Sequence, residues 1–166
     1  MNAPHDGKKA ARHPTAVPSN DMKHLFITGV KGSGKSTRLR EITQGLPGTP
    51  TGFTTVRSDA VFGKMAVHLL KPGEIPTAEN FLFFCGECTD PARFDSLGVA
   101  ALSRPGDYIL MDELGPAETD AHAFQQAVLA ALDGDIPVYG ILQKADTPFL
   151  RQVAAHPKVE VVDIDT

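Results

Sequence analysis

Leu25-Phe26-Ile27-Thr28-Gly29-Val30-Lys31-Gly32-Ser33-Gly34-Lys35-Ser36-Thr37 decides the fold of this chain. An apolar run ends in Gly-x-x-x-x-Gly-Lys-Ser, and a helical pattern follows. That is the setting of a phosphate-binding loop. Its glycines let the backbone turn tightly and aim N–H groups at an anion. The helix behind adds the positive end of its dipole. Gly29, Val30, Lys31, Gly32, Ser33, Gly34, Lys35, Ser36 and Thr37 are therefore the candidate nucleotide-binding residues. In this pattern the lysine, Lys35, reaches the β and γ phosphates, and the Ser36 hydroxyl takes Mg²⁺.

Outward from the loop, strand and helix signals alternate. Leu25–Thr28 reads as a buried strand and Ser36–Gln44 as the helix after the loop, stopped by Gly45. Gly52–Val56 and Met65–Leu70 read as strands joined by a turn, an antiparallel excursion at one edge. Phe81–Phe84 is a short apolar run. Asp90-Pro91 opens a helix with a capping acid and proline at its first position. Tyr108–Met111 is an apolar strand. Asp120–Leu132 is an amphipathic helix, Pro137–Leu142 a strand, Pro148–Ala155 a short helix and Val159–Ile164 a last strand. This alternation predicts an α/β domain over 22–166, three-layered, with a mainly parallel central sheet and helices on both faces. Residues 1–21 are rich in Ala, Pro, His, Lys and Ser and read as a disordered tail. A basic contact arm is the alternative.

The bulk properties agree with one globular domain. The chain has 166 residues, 42% hydrophobic and 22% charged, enough to bury a full core. No apolar run reaches the ~20 residues of a membrane span, and no secretory signal opens the chain, so the cytoplasm is the expected location. The formal net charge is −4. Residues 1–24 carry +2, so the remainder carries −6. An acidic body argues against a broad nucleic-acid surface.

Tyr108-Ile109-Leu110-Met111-Asp112-Glu113 supplies the second constellation: an apolar strand that ends in two acids, a Walker B pattern. Mg²⁺ takes hard oxygen ligands, and ligands gather at the carboxyl ends of parallel strands. Asp112 is thus the metal-site acid beside Ser36. Glu113 is the candidate that orients and deprotonates an attacking water. An acid pair at this strand end favours hydrolysis of a triphosphate.

Further segments carry a family resemblance. They are Gly52-Phe53-Thr54-Thr55-Val56-Arg57, Phe94-Asp95-Ser96-Leu97 and Met111-Asp112-Glu113-Leu114-Gly115-Pro116-Ala117-Glu118. From about Lys23 onward the chain resembles the small nucleoside-triphosphatase family, which includes a human cancer-related member and hyperthermophile relatives. The resemblance implies a RecA-like P-loop sheet with an additional central strand. It implies Mg²⁺-dependent hydrolysis of ATP, GTP and other nucleoside triphosphates. It assigns Glu113 as catalytic glutamate, Asp112 as metal-site aspartate and Arg57 as an arginine facing the phosphates. This chain has Lys31 where the family loop has proline, Ser36 where it has threonine, and Pro116-Ala117-Glu118 where it has Lys-Met-Glu.

Two rival classes remain open. Gln143-Lys144-Ala145-Asp146 resembles the guanine-reading Asn-Lys-x-Asp motif, which supports a GTP-binding switch. A P-loop small-molecule kinase is the other, although no arginine-rich lid follows Asp112. Arg93 and Arg104 compete with Arg57 as phosphate-facing cations, and Gln143 as a contact to the γ phosphate or water. Cys85-Gly86-Glu87-Cys88 reads as two reduced thiols, with a zinc or redox pair as the alternatives.

Overall fold

A computed structural model describes residues 22–165. The tail reading for 1–21 lies outside the described residues. Seven strands form one sheet: β1 (His24–Thr28), β2 (Pro50–Ser58), β3 (Ala66–Leu70), β4 (Phe81–Phe84), β5 (Tyr108–Leu114), β6 (Val138–Leu142) and β7 (Val159–Asp163). Their order is β4-β3-β2-β5-β6-β1-β7. The run β2-β5-β6-β1-β7 is parallel, while β3 and β4 add antiparallel to its edge. The predicted antiparallel excursion is present only from Ala66 onward: β2 belongs to the parallel run, and Phe81–Phe84 adds a second antiparallel strand beyond β3. β6 lies between β1 and β5, so the strand that ends in the loop and the strand that ends in the acids are not neighbours.

Successive residues of β1 face opposite sides of the sheet, as strand geometry requires. Phe26 belongs to the larger core and Ile27 to a smaller one. The smaller core packs Ile27 and Ile141 against Leu39 of α1 (Lys35–Gln44). The larger core lies under α2 (Pro91–Leu102), α3 (His122–Asp133) and α4 (Pro148–Ala154), where Phe94, Phe124, Val128 and Leu150 are buried with Phe53 and Met111. Helices thus cover both faces, and the fold is the expected three-layer α/β sandwich.

Local chemistry fixes the helix starts. The Asp90 side chain accepts from the amides of Ala92 and Arg93 at the head of α2, with Pro91 at its first position. α3 has no such cap of its own. Asp95 of α2 instead accepts from Phe124 N at 2.8 Å, satisfying one of the amides a helix start leaves open. His24 ties three elements: its Nδ1 accepts from Val138 N at 3.1 Å, so its Nε2–H donates to the Leu132 carbonyl at 2.9 Å. Burial lowers its pKa, which keeps the ring in the neutral form this pairing needs.

Candidate active site

All five parallel strands present their carboxyl ends on one side of the sheet, where ligands bind in such folds. β1 ends in the phosphate loop. Gly32 and Gly34 have φ of 79° and 93°, a region L side chains rarely enter, and α1 starts at Lys35 directly after Gly34. Lys35 Nζ donates to the carbonyls of Gly29 and Val30 at 3.0 Å each, so the ammonium folds over its own loop. The Ser33 hydroxyl oxygen is buried there without a hydrogen-bond partner among the described residues.

β5 delivers the two acids through an irregularity. Met111 pairs with Gly140, and the next pair is Leu114 with Leu142, so β5 holds one more residue than β6 across that interval. Such bulges re-aim side chains next to active sites. Asp112 and Glu113 sit in it, and the peptide joining them is cis. Burial, then the charge of Glu113, pushes the Asp112 carboxyl up to about 6; Arg40 and Lys35 pull the other way.

β6 contributes Gln143 and Lys144. Gln143 Nε2 donates to Glu113 Oε2 at 2.6 Å. Gly115 makes room for this amide: a Cβ there would collide with the Gln143 side chain. Gly115 is itself held by Glu118, whose carboxyl oxygens accept from Gly115 N at 2.8 and 3.1 Å. Glu118 is 2% exposed, and burial pushes its pKa up to about 8. Its carboxyl is therefore mostly protonated at neutral pH.

β7 closes the far side. Asp165 Oδ2 accepts from Val30 N at 2.8 Å and from Lys144 Nζ at 2.8 Å. Lys144 also bridges to Asp163 at 2.9 Å.

These side chains meet in two adjoining clefts. The larger, about 740 Å³, is lined by Gly29–Gly32, Gly34–Thr37, Arg57, Glu113, Gln143 and Lys144, a volume suited to a small-molecule ligand. The smaller, about 390 Å³, shares Ser36, Arg57, Glu113 and Gln143 with it and adds Asp112. The structure thus brings together the predicted Lys35, Ser36, Thr37, Arg57, Asp112 and Glu113.

Other candidates fall away. The Arg93 guanidinium donates to the carbonyls of Phe81, Ala78 and Glu79 and is tied to the β4 edge. Arg104 lines neither cleft. Asp146 pairs with Arg151 and also lies outside both clefts, so the guanine-reading analogy lacks its acid. Cys85 and Cys88 are free thiols. Among the described residues no cluster of three His, Cys, Asp or Glu could hold a metal.

Reading the chain as a sequence missed Asp165 and Arg40. Asp165 carried no local signal. Arg40 did: it stands four residues after Ser36, one helical turn along the same face, and its charge acts on Asp112.

Comparison with known proteins agrees with this geometry. A family model described as NTPase matches residues 88–166. Nucleoside-triphosphatase THEP1 of Ignicoccus hospitalis is 28% identical over 152 residues, which cover 82% of this chain and 86% of that protein. The crystal structure of THEP1 from the hyperthermophile Aquifex aeolicus superposes with a TM-score of 0.66 at 19% identity, covering 84% of this chain and 88% of that one. The solution structure of a human cancer-related nucleoside triphosphatase superposes at 0.52 with 20% identity, covering 85% and 88%. The chain is thus similar over most of its length to small nucleoside triphosphatases, and its fold is theirs.

Proposed function

We infer that this chain hydrolyses nucleoside triphosphates, ATP and GTP among them, to the diphosphate and phosphate. The observation that carries this reading is Glu113, held by Gln143 in the wall of the cleft that the phosphate loop lines. A carboxylate so fixed can take a proton from water beside the γ phosphate.

The residues fit a magnesium ion. The Ser36 hydroxyl and the Asp112 carboxylate line one cleft and offer hard oxygens. Mg²⁺ keeps several waters and binds through one or two protein groups plus substrate phosphates, so this sparse donor set suits it. When bound, the ion neutralises charge on the phosphate oxygens.

The rest is the chain's own work. Amides of Gly32–Ser36 hold the phosphates, and Lys35 exchanges its loop carbonyls for phosphate oxygens. The unpartnered Ser33 hydroxyl gains an acceptor. Arg57 supplies positive charge from the cleft rim. Glu113 accepts the water proton while the water oxygen attacks in line. A triphosphate substrate points to the cytoplasm, and among the described residues no helix is long and apolar enough to cross a membrane.

A phosphate-release assay over ATP, GTP, CTP and UTP, with and without Mg²⁺, tests this. Release from several triphosphates only with Mg²⁺ is expected. Release from none of them sinks the reading, and release from GTP alone restores the switch.

A further inference from the structure

The smaller cleft is too large for its part in hydrolysis. An attacking water needs about 30 Å³. The cleft beside Glu113 has a volume of about 390 Å³, room for that water, for the waters of a magnesium ion at Ser36 and Asp112, and for a small molecule besides. Beyond the shared catalytic wall it is lined by Val67 of β3, Phe83 of β4, Phe94 of α2 and Ala117, an apolar floor that binds no triphosphate.

We propose that this cleft seats a small neutral alcohol bearing an apolar ring, and that the γ phosphoryl group passes to its hydroxyl. The inference rests on the triphosphatase reading of the neighbouring cleft. The ring would lie against Val67, Phe83 and Phe94, and the hydroxyl would replace the water at Glu113. Charge argues for a neutral acceptor. Asp112 and Glu113 line the cleft, Glu118 beside them is mostly protonated, and Arg57 is the sole cation among the lining residues. An anionic acceptor would add charge to a wall already rich in carboxyls.

The transfer balances without further reactants. Glu113 takes the hydroxyl proton, and the acceptor oxygen bonds to the γ phosphorus. The bond from that phosphorus to the bridging oxygen breaks, and its electron pair leaves on the nucleoside diphosphate. Water and alcohol compete for one position, so hydrolysis persists when the acceptor is absent.

The test uses the full chain with Mg²⁺, ATP and benzyl alcohol as the probe, read by phosphorus NMR. A benzyl phosphate resonance is expected beside inorganic phosphate. Val67→Trp fills the floor and should cut ester formation at least about tenfold, the scale of a misfit in an apolar pocket, with phosphate release unchanged. Phe83→Ala loosens the grip on the ring and should also cut it, which keeps the test valid if the tryptophan variant does not fold. Inorganic phosphate without ester overturns the proposal and leaves hydrolysis standing. Ester formed equally by the parent and both variants overturns the assignment to this cleft. No release and no transfer from any triphosphate removes the triphosphatase reading itself.

Discussion

Gln143 and Glu113 lie 30 residues apart and meet through a 2.6 Å hydrogen bond from the amide to the carboxylate. In the proposed hydrolysis this bond aims one carboxylate oxygen and leaves the other for the nucleophile. Glu113→Gln should keep nucleotide binding and lower kcat by about 10²–10⁴-fold, the range of a lost general base. Gln143→Ala should lower kcat by about 10–100-fold, the usual effect of removing an orienting partner, with KM little changed. Steady-state kinetics and binding of a fluorescent triphosphate separate the two parameters. A Glu113→Gln variant that turns over at the parental rate would falsify the role of Glu113.

Among the described residues Lys35 meets only backbone carbonyls of its own loop, so its charge is available to phosphate. Hydrogen bonds to charged groups contribute about 1.5–3 kcal/mol. Lys35→Ala should therefore weaken binding of a non-hydrolysable triphosphate by roughly ten- to a hundredfold. Calorimetric titration measures this directly, and unchanged affinity would exclude Lys35 from the phosphate site.

Chelation with EDTA should stop hydrolysis, and added Mg²⁺ should restore it. Asp112→Asn keeps the shape of the side chain but removes the charge. It should raise the Mg²⁺ concentration needed for half-maximal rate by at least about tenfold. That corresponds to losing about 1.4 kcal/mol of binding. An identical Mg²⁺ dependence in the variant would exclude Asp112 as a ligand.

Glu118 makes a prediction about pH and stability. Its folded pKa, about 8, stands above the ordinary glutamate value of 4.5. Between these values the unfolded chain has lost the proton and the folded chain has kept it. The folded state then binds more protons, so stability falls as pH rises from about 4.5 and levels off above about 8. Glu118→Gln keeps a neutral group there at every pH, so its stability should decline less across that window. Urea denaturation midpoints at pH 5, 7 and 9 for parent and variant check the sign. Parallel curves would show that Glu118 does not titrate abnormally.

Much of this was legible in the sequence because its signals are local. The phosphate loop is a contiguous pattern, the acid pair ends a contiguous apolar strand, and Asp90-Pro91 is a helix start in two residues. Each element of the parallel sheet followed from such runs. The rest depends on residues that are neighbours only in space. His24 finds the Leu132 carbonyl 108 residues away, and Asp165 finds Val30 at a separation of 135. Gln143 was a candidate on its position after a strand, but its partner was not readable until β6 was seen beside β5. Arg93 and Asp146 suggested function by residue type, and only their partners at the β4 edge and at Arg151 show them engaged elsewhere.

The bond from Val30 N to Asp165 joins the first turn of the phosphate loop to the chain that leaves the last strand. This bond is expected to couple opening of that strand to release of nucleotide from the proposed site, and coupling between two equilibria is reciprocal. A bound triphosphate should slow hydrogen exchange in Val159–Asp163, a strand that lines neither cleft. Conversely, Asp165→Ala should loosen both ends together, so that the residence time of the nucleotide reports how firmly the carboxyl-terminal strand is seated.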